Sequence, residues 1–142
     1  VGTVTEVRTS ILERLFSEQL IPVISTIGVT EDGESLNINA DEAAAAIAIG
    51  LKAKKLIIMS NIPGIMKDIT DPDSVINNMT VEEATKLTKS DTISAGMIPK
   101  IKACIDAVAG GAERSHIIDG RQNHSVLLEL FTETGVGTMI TP

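Results

Sequence analysis

Short apolar runs of strand length alternate along this chain with segments whose apolar residues repeat at helical spacing. The clearest run, residues 56–59, predicts a central parallel strand covered on both faces. The clearest helical repeat, residues 98–108, is closed by Gly110. Strands joined through helices pair in parallel, because each helix returns the chain to the same end of the sheet. The alternation predicts a three-layer α/β/α fold with a mostly parallel sheet.

The remaining elements follow from the same local signals. Thr80 and Glu83 form a T-x-x-E capping box that opens a helix. Asp32-Gly33 lies between β-compatible flanks, which is the signal for a tight hairpin over residues 28–36. The predicted helices cover residues 10–20, 41–51, 80–89, 98–108 and 126–131, and the predicted strands cover 21–25, 56–59, 115–118 and 138–140. No repeat or linker interrupts them, so residues 1–142 are predicted to form a single domain.

Composition limits the core and the class of ligand. The 142 residues include only two aromatic side chains, so the core is expected to be aliphatic and rich in alanine. The net charge of −7 argues against a nucleic-acid binder, which needs a basic stripe and stacking aromatics. Cys104 stands alone, which favours a cytoplasmic location and excludes a disulfide framework. No stretch of 18 apolar residues is present to cross a membrane.

Three polar segments are expected beyond the carboxyl ends of the strands, where open α/β sheets bind ligands. They are residues 37–41, 60–64 and 119–121. In the first, Asn37, Asn39 and Asp41 alternate with apolar residues, so all three would face one side of an extended chain. Asp41 then stands where a helix N-cap would stand. Pattern alone leaves two interpretations open, a solvated cap or a polar cluster that holds a ligand.

Residues 92–100 approach the helix that begins near Ile98. Gly96 permits a close backbone approach, and Pro99 suits a first helical turn. Lys100 would lie near a helix N-terminus, where the dipole disfavours a cation unless an anion sits beside it. The alternative is a mobile surface lysine.

Common catalytic signatures are missing from the sequence. Neither G-x-x-x-x-G-K-[ST] nor G-x-G-x-x-G occurs, and G-x-S-x-G is also absent. His116 and His124 lack zinc-ligand spacing. The residues by themselves indicate an α/β domain with an anion site.

Four strings of the sequence stand out together: Asn37-Ile-Asn-Ala-Asp41-x-Ala43-Ala44, Ser60-Asn-Ile-Pro-Gly64, Thr92-Ile-Ser-Ala-Gly-Met-Ile-Pro-Lys100, and His116-Ile-Ile-Asp-Gly-Arg121-x-x-His124-Ser-x-Leu-Leu-Glu129-Leu-Phe-Thr132-x-x-Gly135-x-Gly137-Thr-Met-Ile140. They resemble the acetylglutamate kinases of the amino-acid kinase (carbamate kinase-like) family, and the similarity runs from Val1 to Ile140 in order and spacing. Sister kinases share the fold without these strings. The resemblance covers the C-terminal, nucleotide-binding half of such an enzyme.

The resemblance implies phosphorylation of the side-chain carboxylate of N-acetyl-L-glutamate by ATP with Mg²⁺, a step of arginine biosynthesis. It implies that Lys100 stabilises the transferring phosphoryl group and that Asp41 organises the catalytic lysines. Asn37, with Asn39, is expected to bind the acetylated amino acid. The expected nucleotide-binding residues are Ser60, Asn61, Ile62, Pro63, Gly64, Ile65, Met66, Thr92, Ile93, Ser94, Ala95, Gly96 and Met97.

Some members of the family are inhibited by L-arginine, and the resemblance carries that site over as well. Its residues here are His116, Glu129, Gly135 and Gly137. We therefore expect the parent enzyme to be sensitive to arginine.

Two departures and one gap qualify the resemblance. Asn61 stands where Asp is usual, and Ala95 where Gly is common. The N-terminal half is expected to hold a glycine-rich phosphate loop, a second lysine, a substrate-binding arginine and the main dimer surface. The full-length protein is thus expected to be a homo-oligomer, and the 142-residue chain alone to bind nucleotide without turnover.

Two other classes of function remain open. One is a stand-alone nucleotide- or arginine-binding regulatory module, which an initiator Met just before Val1 would favour. The other is an inactive partner of a nitrogen-status signalling protein, which nothing in the chain supports specifically.

Overall fold

The computed structural model describes residues 1–90, 93–132 and 135–142. Its helices are α1 (Thr9–Ser17), α2 (Ala40–Gly50), α3 (Val81–Leu87), α4 (Met97–Ala109) and α5 (Ser125–Phe131). Its strands are β1 (Ile27–Val29), β2 (Ser35–Asn37), β3 (Lys55–Ser60), β4 (Asn78–Thr80), β5 (Arg114–Asp119) and β6 (Thr138–Thr141), with a 3₁₀ turn at Pro72–Ser74. No described helix has both the length and the apolar character that a bilayer crossing requires.

The main sheet has four strands in the order β3-β5-β6-β4. β3 pairs with β5 in parallel, and so does β4 with β6, whereas β5 and β6 are antiparallel. The carboxyl ends of β3 and β5 therefore lie at the same end of the sheet, beside the start of β6. The predicted mostly parallel sheet is confirmed.

Helices cover both faces of this sheet. On β5, Ser115 Oγ donates to the carbonyl of Cys104 in α4 at 3.0 Å, while the ring of His116 contacts Glu129 in α5. Adjacent strand residues point to opposite faces, so α4 and α5 lie on opposite sides. α2 and α3 pack beside α4. These contacts give the three predicted layers.

The core is aliphatic, as the composition predicts. Ile101, Ile117 and Ile140 are fully buried between α4 and the sheet, together with several alanines. Phe131 is 80% exposed and does not contribute to it. Small side chains on α2 and α4 allow these helices to pack closely.

The prediction that residues 56–59 form a central strand is wrong, because β3 lies at an edge of the sheet. Met59 is 53% exposed there, whereas Leu56 and Ile58 are buried. An apolar run indicates that a strand is at least partly covered. It does not reveal whether one or two strands flank it.

The predicted strand at residues 21–25 is also wrong for the described chain. This segment has no strand hydrogen bonds, and Ile21 and Val23 are 90% and 96% exposed. A strand forms only where another backbone pairs with it, and Pro22 removes one donor. The preceding helix ends at Ser17, three residues earlier than predicted, because Gln19 adopts a φ of 58°.

Local signals were more reliable at the hairpin and at α3. β1 and β2 pair antiparallel across residues 30–34, with Gly33 at φ +86°, although this connection is wider than the predicted tight turn. The capping box between Thr80 and Glu83 is present with both hydrogen bonds. The three-residue strand β4 was not predicted.

Candidate active site

The start of α2 is fixed by an asparagine cap. Asn39 is the N-cap, and its Oδ1 accepts hydrogen bonds from the backbone N–H groups of Asp41 and Glu42 at 2.9 and 3.2 Å. The expectation that Asp41 is the cap is therefore wrong. So is the expectation that three polar side chains share one extended face, because the helix begins at Ala40. Capping by Asn39 leaves the Asp41 carboxylate free for other contacts.

The Asp41 carboxylate binds the ammonium group of Lys100. Lys100 is the fourth residue of α4, and its Nζ lies 3.0 and 3.2 Å from the two carboxylate oxygens of Asp41. The two side chains are 25% and 16% exposed. Packing of α2 against α4 thus joins residues that are 59 positions apart in the sequence. The pair is shielded on one side and open to solvent on the other.

The N-terminus of α4 lies one turn before Lys100. Its N-cap is Gly96, and no side chain of residues 1–90, 93–132 or 135–142 caps this end of the helix. A Cβ atom at Gly96 would meet no atom within 4 Å. The Met97 N–H already donates to the Ser94 carbonyl at 2.9 Å, and Pro99 has no N–H, so Ile98 is left to offer its N–H in this first turn. The helix dipole still favours an anion at this end, and the nearby ammonium group adds to that preference.

The two predicted nucleotide-binding segments meet in front of this helix. A cavity of about 20 Å³ separates them, which is room for a single water molecule. A nucleotide therefore needs this gap to widen. Thr92 lies outside the described residues. The cavity is lined by Ile62, Gly64, Ile65, Met66, Ile69, Ile93, Ser94 and Met97.

Thr138, a residue that the sequence did not reveal, holds the first of these segments in place. Its Oγ1 accepts a hydrogen bond from the Ile65 N–H at 2.8 Å, in the interior. The Ile65 carbonyl accepts a bond from the Ile76 N–H, also at 2.8 Å, and the Ile65 side chain is buried. A Cβ at Gly64 would lie 2.7 Å from the same hydroxyl, so glycine is needed there. Ile65 shapes the loop, with both of its backbone polar groups already bonded.

The remaining predicted substrate residue, Asn37, ends β2 close to the cap of α2. Its carbonyl accepts a hydrogen bond from the Gly2 N–H at 2.9 Å. Its side chain is exposed and forms no hydrogen bond within the described chain. The amide of Asn37 is thus available to a ligand, whereas the Oδ1 of Asn39 is occupied by the cap.

A second pair of bonded polar side chains lies on the opposite face of the sheet. His116 Nδ1 and Glu129 Oε1 are 2.7 Å apart, and both side chains are 4% exposed. Glu129 Oε2 accepts hydrogen bonds from the N–H groups of Val136 and Gly137 at 2.6 and 3.0 Å. Gly135 has a φ of +63°, and a Cβ there would lie 2.7 Å from Glu129 Oε2. The structure therefore brings together all four residues predicted to form an effector site.

This pair borders a cavity of about 470 Å³. A carboxylate can only accept hydrogen bonds, so His116 Nδ1 is the donor in its contact with Glu129. Nε2 is buried and has no partner in the described chain. Sequence reasoning missed the polar residues at the far side of the cavity, because they belong to no recognisable motif. The residues lining it are Lys55, Asn77, Asn78, Arg114, His116, Glu129, Leu130, Thr132, Gly135 and Met139.

The surroundings of Asp119 and Cys104 shift the pKa of each group. Arg121 binds the carboxylate of Asp119 through two nitrogens, at 2.9 and 2.8 Å, and these bonds hold the pKa of Asp119 below its usual value. Burial raises the pKa of the Cys104 thiol to about 12, so this thiol stays protonated at neutral pH and cannot act as a nucleophile.

Comparison with known proteins identifies the family. A sequence model described as the amino acid kinase family matches residues 1–119. This chain belongs to the amino acid kinase family. The predicted resemblance is confirmed at closer range by an acetylglutamate kinase from Methanobrevibacter smithii, which is 48% identical over 140 residues. That alignment covers 99% of this chain and 48% of the relative, so this amino acid kinase chain spans about half the length of the curated relatives it matches.

Solved structures of two other enzymes share the fold. N-acetylglutamate synthase from Neisseria gonorrhoeae, solved with coenzyme A and N-acetyl-glutamate, matches with a TM-score of 0.89 and 27% identity. The match covers 100% of this chain and 32% of the synthase. A second structure of that synthase contains coenzyme A and L-arginine. Carbamate kinase from Giardia lamblia bound to AMP-PNP matches with a TM-score of 0.72 at 20% identity, over 96% of this chain and 45% of the kinase. The amino acid kinase fold predicted from the sequence is confirmed.

Proposed function

We propose that this chain is the nucleotide-binding half of an acetylglutamate kinase, which transfers the γ-phosphoryl group of MgATP to the side-chain carboxylate of N-acetyl-L-glutamate. The observation that carries the proposal is the contact between Lys100 and Asp41, at 3.0 and 3.2 Å, beside the N-terminus of α4. The similarity to acetylglutamate kinases over 99% of the chain supports the choice of substrate.

The reaction needs charge compensation more than proton transfer. The acceptor carboxylate is already ionised at neutral pH, so its oxygen attacks the γ-phosphorus directly and ADP leaves. No general base is required, which fits a site built from a lysine and a carboxylate. The transition state carries negative charge on the transferring group, and a fixed cation lowers its free energy.

Lys100 and Asp41 divide this task. Lys100 supplies the positive charge, and its partial exposure lets Nζ leave Asp41 for an incoming phosphoryl group. Asp41 positions the ammonium group before the substrates arrive and takes no proton itself. Asn37, whose side-chain amide has no partner in the described chain, binds the α-carboxylate of N-acetyl-L-glutamate. The loop at residues 61–66 and the segment at 93–97 hold the nucleotide once their gap has opened.

An acetylglutamate-dependent ADP-release assay on the full-length protein tests this function. The proposal predicts ADP release with MgATP and N-acetyl-L-glutamate, and none when L-glutamate or L-aspartate replaces it. Equal release with all three acids, or none with N-acetyl-L-glutamate, would exclude the proposed reaction.

A second function, binding of L-arginine as an inhibitor, is favoured by the cavity beside His116 and Glu129. The Glu129 carboxyl group suits a guanidinium group, and His116 Nε2, which has no partner in the described chain, offers a further polar contact. The related synthase from N. gonorrhoeae was solved with L-arginine, which supports this assignment. Arginine inhibition of the full-length enzyme in the same ADP-release assay is the expected result. A stand-alone regulatory module would also bind arginine here, but would release no ADP.

A further inference from the structure

The loop at residues 61–66 is attached to a strand that lies far away in the sequence. Thr138, the first residue of β6, is fully buried and pairs with Ile117 of β5. Its Oγ1 accepts a hydrogen bond from the Ile65 N–H at 2.8 Å. Because Ile65 is only 1% exposed, solvent has little access to this N–H. A buried donor without an acceptor is costly, so the position of the loop depends on the Thr138 hydroxyl.

Packing fixes the same loop from a second direction. A Cβ at Gly64 would lie 2.7 Å from the Thr138 hydroxyl and 3.1 Å from the side chain of Val75. The Ile65 carbonyl accepts a hydrogen bond from the Ile76 N–H at 2.8 Å. The loop is therefore a fixed wall, built against β6 and against the segment that leads into β4.

The wall that faces this loop is attached differently. Residues 93–97 lead into α4, and the Met97 N–H donates to the Ser94 carbonyl within the same segment at 2.9 Å. A Cβ at Gly96 would meet no atom within 4 Å, so the backbone there borders open space. A nucleotide that enters the gap thus meets one wall tied to the sheet, at residues 61–66, and one wall with room to move.

We propose that Thr138 is a positioning residue for the nucleotide, because its hydroxyl holds the loop at residues 61–66 in the arrangement that binds MgATP. This inference rests on the proposed nucleotide site and adds the residue that fixes one wall of it. Thr138 is buried behind the loop and acts through the Ile65 backbone. Asn37, which is proposed to bind the acetylated amino acid, belongs to the separate two-stranded sheet. Loss of the Thr138 hydroxyl therefore affects the nucleotide and spares the acceptor substrate.

Kinetics of the full-length enzyme separate this role from a general structural one. Thr138→Val keeps the volume of the side chain and removes the acceptor of the Ile65 N–H. We expect the KM for MgATP to rise roughly ten- to hundredfold, as for a buried donor left unpaired. The kcat at saturating MgATP and the KM for N-acetyl-L-glutamate should stay within about threefold of wild type, because binding is weakened equally before and during the reaction. Thr138→Ser keeps the hydroxyl and should restore the KM for MgATP.

Isothermal titration with MgADP measures the same effect without turnover. Thr138→Val should weaken MgADP binding by a similar factor, and Thr138→Ser should bind it as wild type does. Thr141→Val is the matched control, because Thr141 lies on the same strand opposite Thr80, and it should change neither the KM values nor the affinity for MgADP. If Thr138→Val does not fold, as judged by circular dichroism, Thr138→Ala removes the hydroxyl without placing a methyl group against the Ile65 N–H and carries the test.

The outcomes distinguish this inference from the function on which it rests. An unchanged KM for MgATP in folded Thr138→Val would overturn the positioning role and leave the proposed reaction standing. An equal rise in both KM values, or no recovery in Thr138→Ser, would show a general structural role and would also overturn it. If wild-type protein binds MgADP but does not phosphorylate N-acetyl-L-glutamate, the proposed reaction fails and the titration still decides the role of Thr138. Wild-type protein that binds no MgADP would remove the nucleotide site, and the positioning role with it.

Discussion

The pair Lys100–Asp41 and the pair His116–Glu129 lie on opposite faces of one sheet and differ in their access to water. Lys100 and Asp41 join α2 to α4 on one face and remain 25% and 16% exposed. His116 and Glu129 join β5 to α5 on the other face and are each 4% exposed. The first pair has solvent on one side, whereas the second is enclosed.

Exposure decides what each pair can do. Lys100 is partly exposed, so its ammonium group can turn from Asp41 towards an incoming anion while water still reaches the carboxylate. Glu129 instead accepts three hydrogen bonds and holds the backbone at Val136 and Gly137 against β5. The open pair is suited to chemistry and the closed pair to keeping a binding cavity in shape.

The largest expected effect on stability is at the closed pair. Glu129→Ala removes the acceptor for His116 Nδ1 and for two backbone N–H groups, so the free energy of unfolding should fall by about 3–5 kcal/mol. Urea denaturation followed by circular dichroism measures this change. Glu129→Gln keeps an acceptor and should cost less, which gives a second variant that remains measurable.

Glu113→Ala provides the control, because Glu113 is an exposed glutamate whose ion pair with Lys54 is long, at 4.0 Å. Its loss should change the free energy of unfolding by less than about 0.5 kcal/mol. If Glu129→Ala lowered the free energy of unfolding no more than Glu113→Ala does, Glu129 would not be holding the backbone at Val136 and Gly137 against β5.

A smaller effect on stability is expected at the open pair. Lys100→Met keeps the length of the side chain and removes its charge, and water still reaches Asp41, so the free energy of unfolding should fall by about 1–3 kcal/mol. Lys102→Met, at an exposed position on the same helix, should change it by less than about 0.5 kcal/mol. A loss above about 3 kcal/mol in Lys100→Met would show that this lysine is a structural residue, and would reverse the comparison.

Local signals in the sequence predicted local structure well. The capping box at Thr80 and Glu83 and the helix ending before Gly110 each depend on neighbouring residues, and each is confirmed. The hairpin around Gly33 is also present, with a wider connection than the predicted tight turn. The sequence pattern did not predict features that depend on contacts between residues far apart in the sequence. Whether residues 56–59 are central or at an edge, and whether 21–25 pairs at all, depends on which backbone lies alongside.

The candidate site shows the same difference between local features and those that depend on distant residues. Spacing alone left Lys100 open between an anion site and a mobile surface lysine, and family resemblance linked it to Asp41. Sequence offered no signal for Thr138, whose hydroxyl supports a loop 73 residues earlier. Arg114 and Lys55 were also missed, because only the parallel register of β3 and β5 makes them neighbours.

Turnover by a Lys100→Ala variant of the full-length enzyme tests the central claim most directly, with Lys102→Ala as the matched control on the same helix. Loss of one transition-state contact predicts a kcat about 10²-fold or more below wild type for Lys100→Ala, and a normal kcat for Lys102→Ala. A folded Lys100→Ala enzyme with a kcat within twofold of wild type would contradict the account.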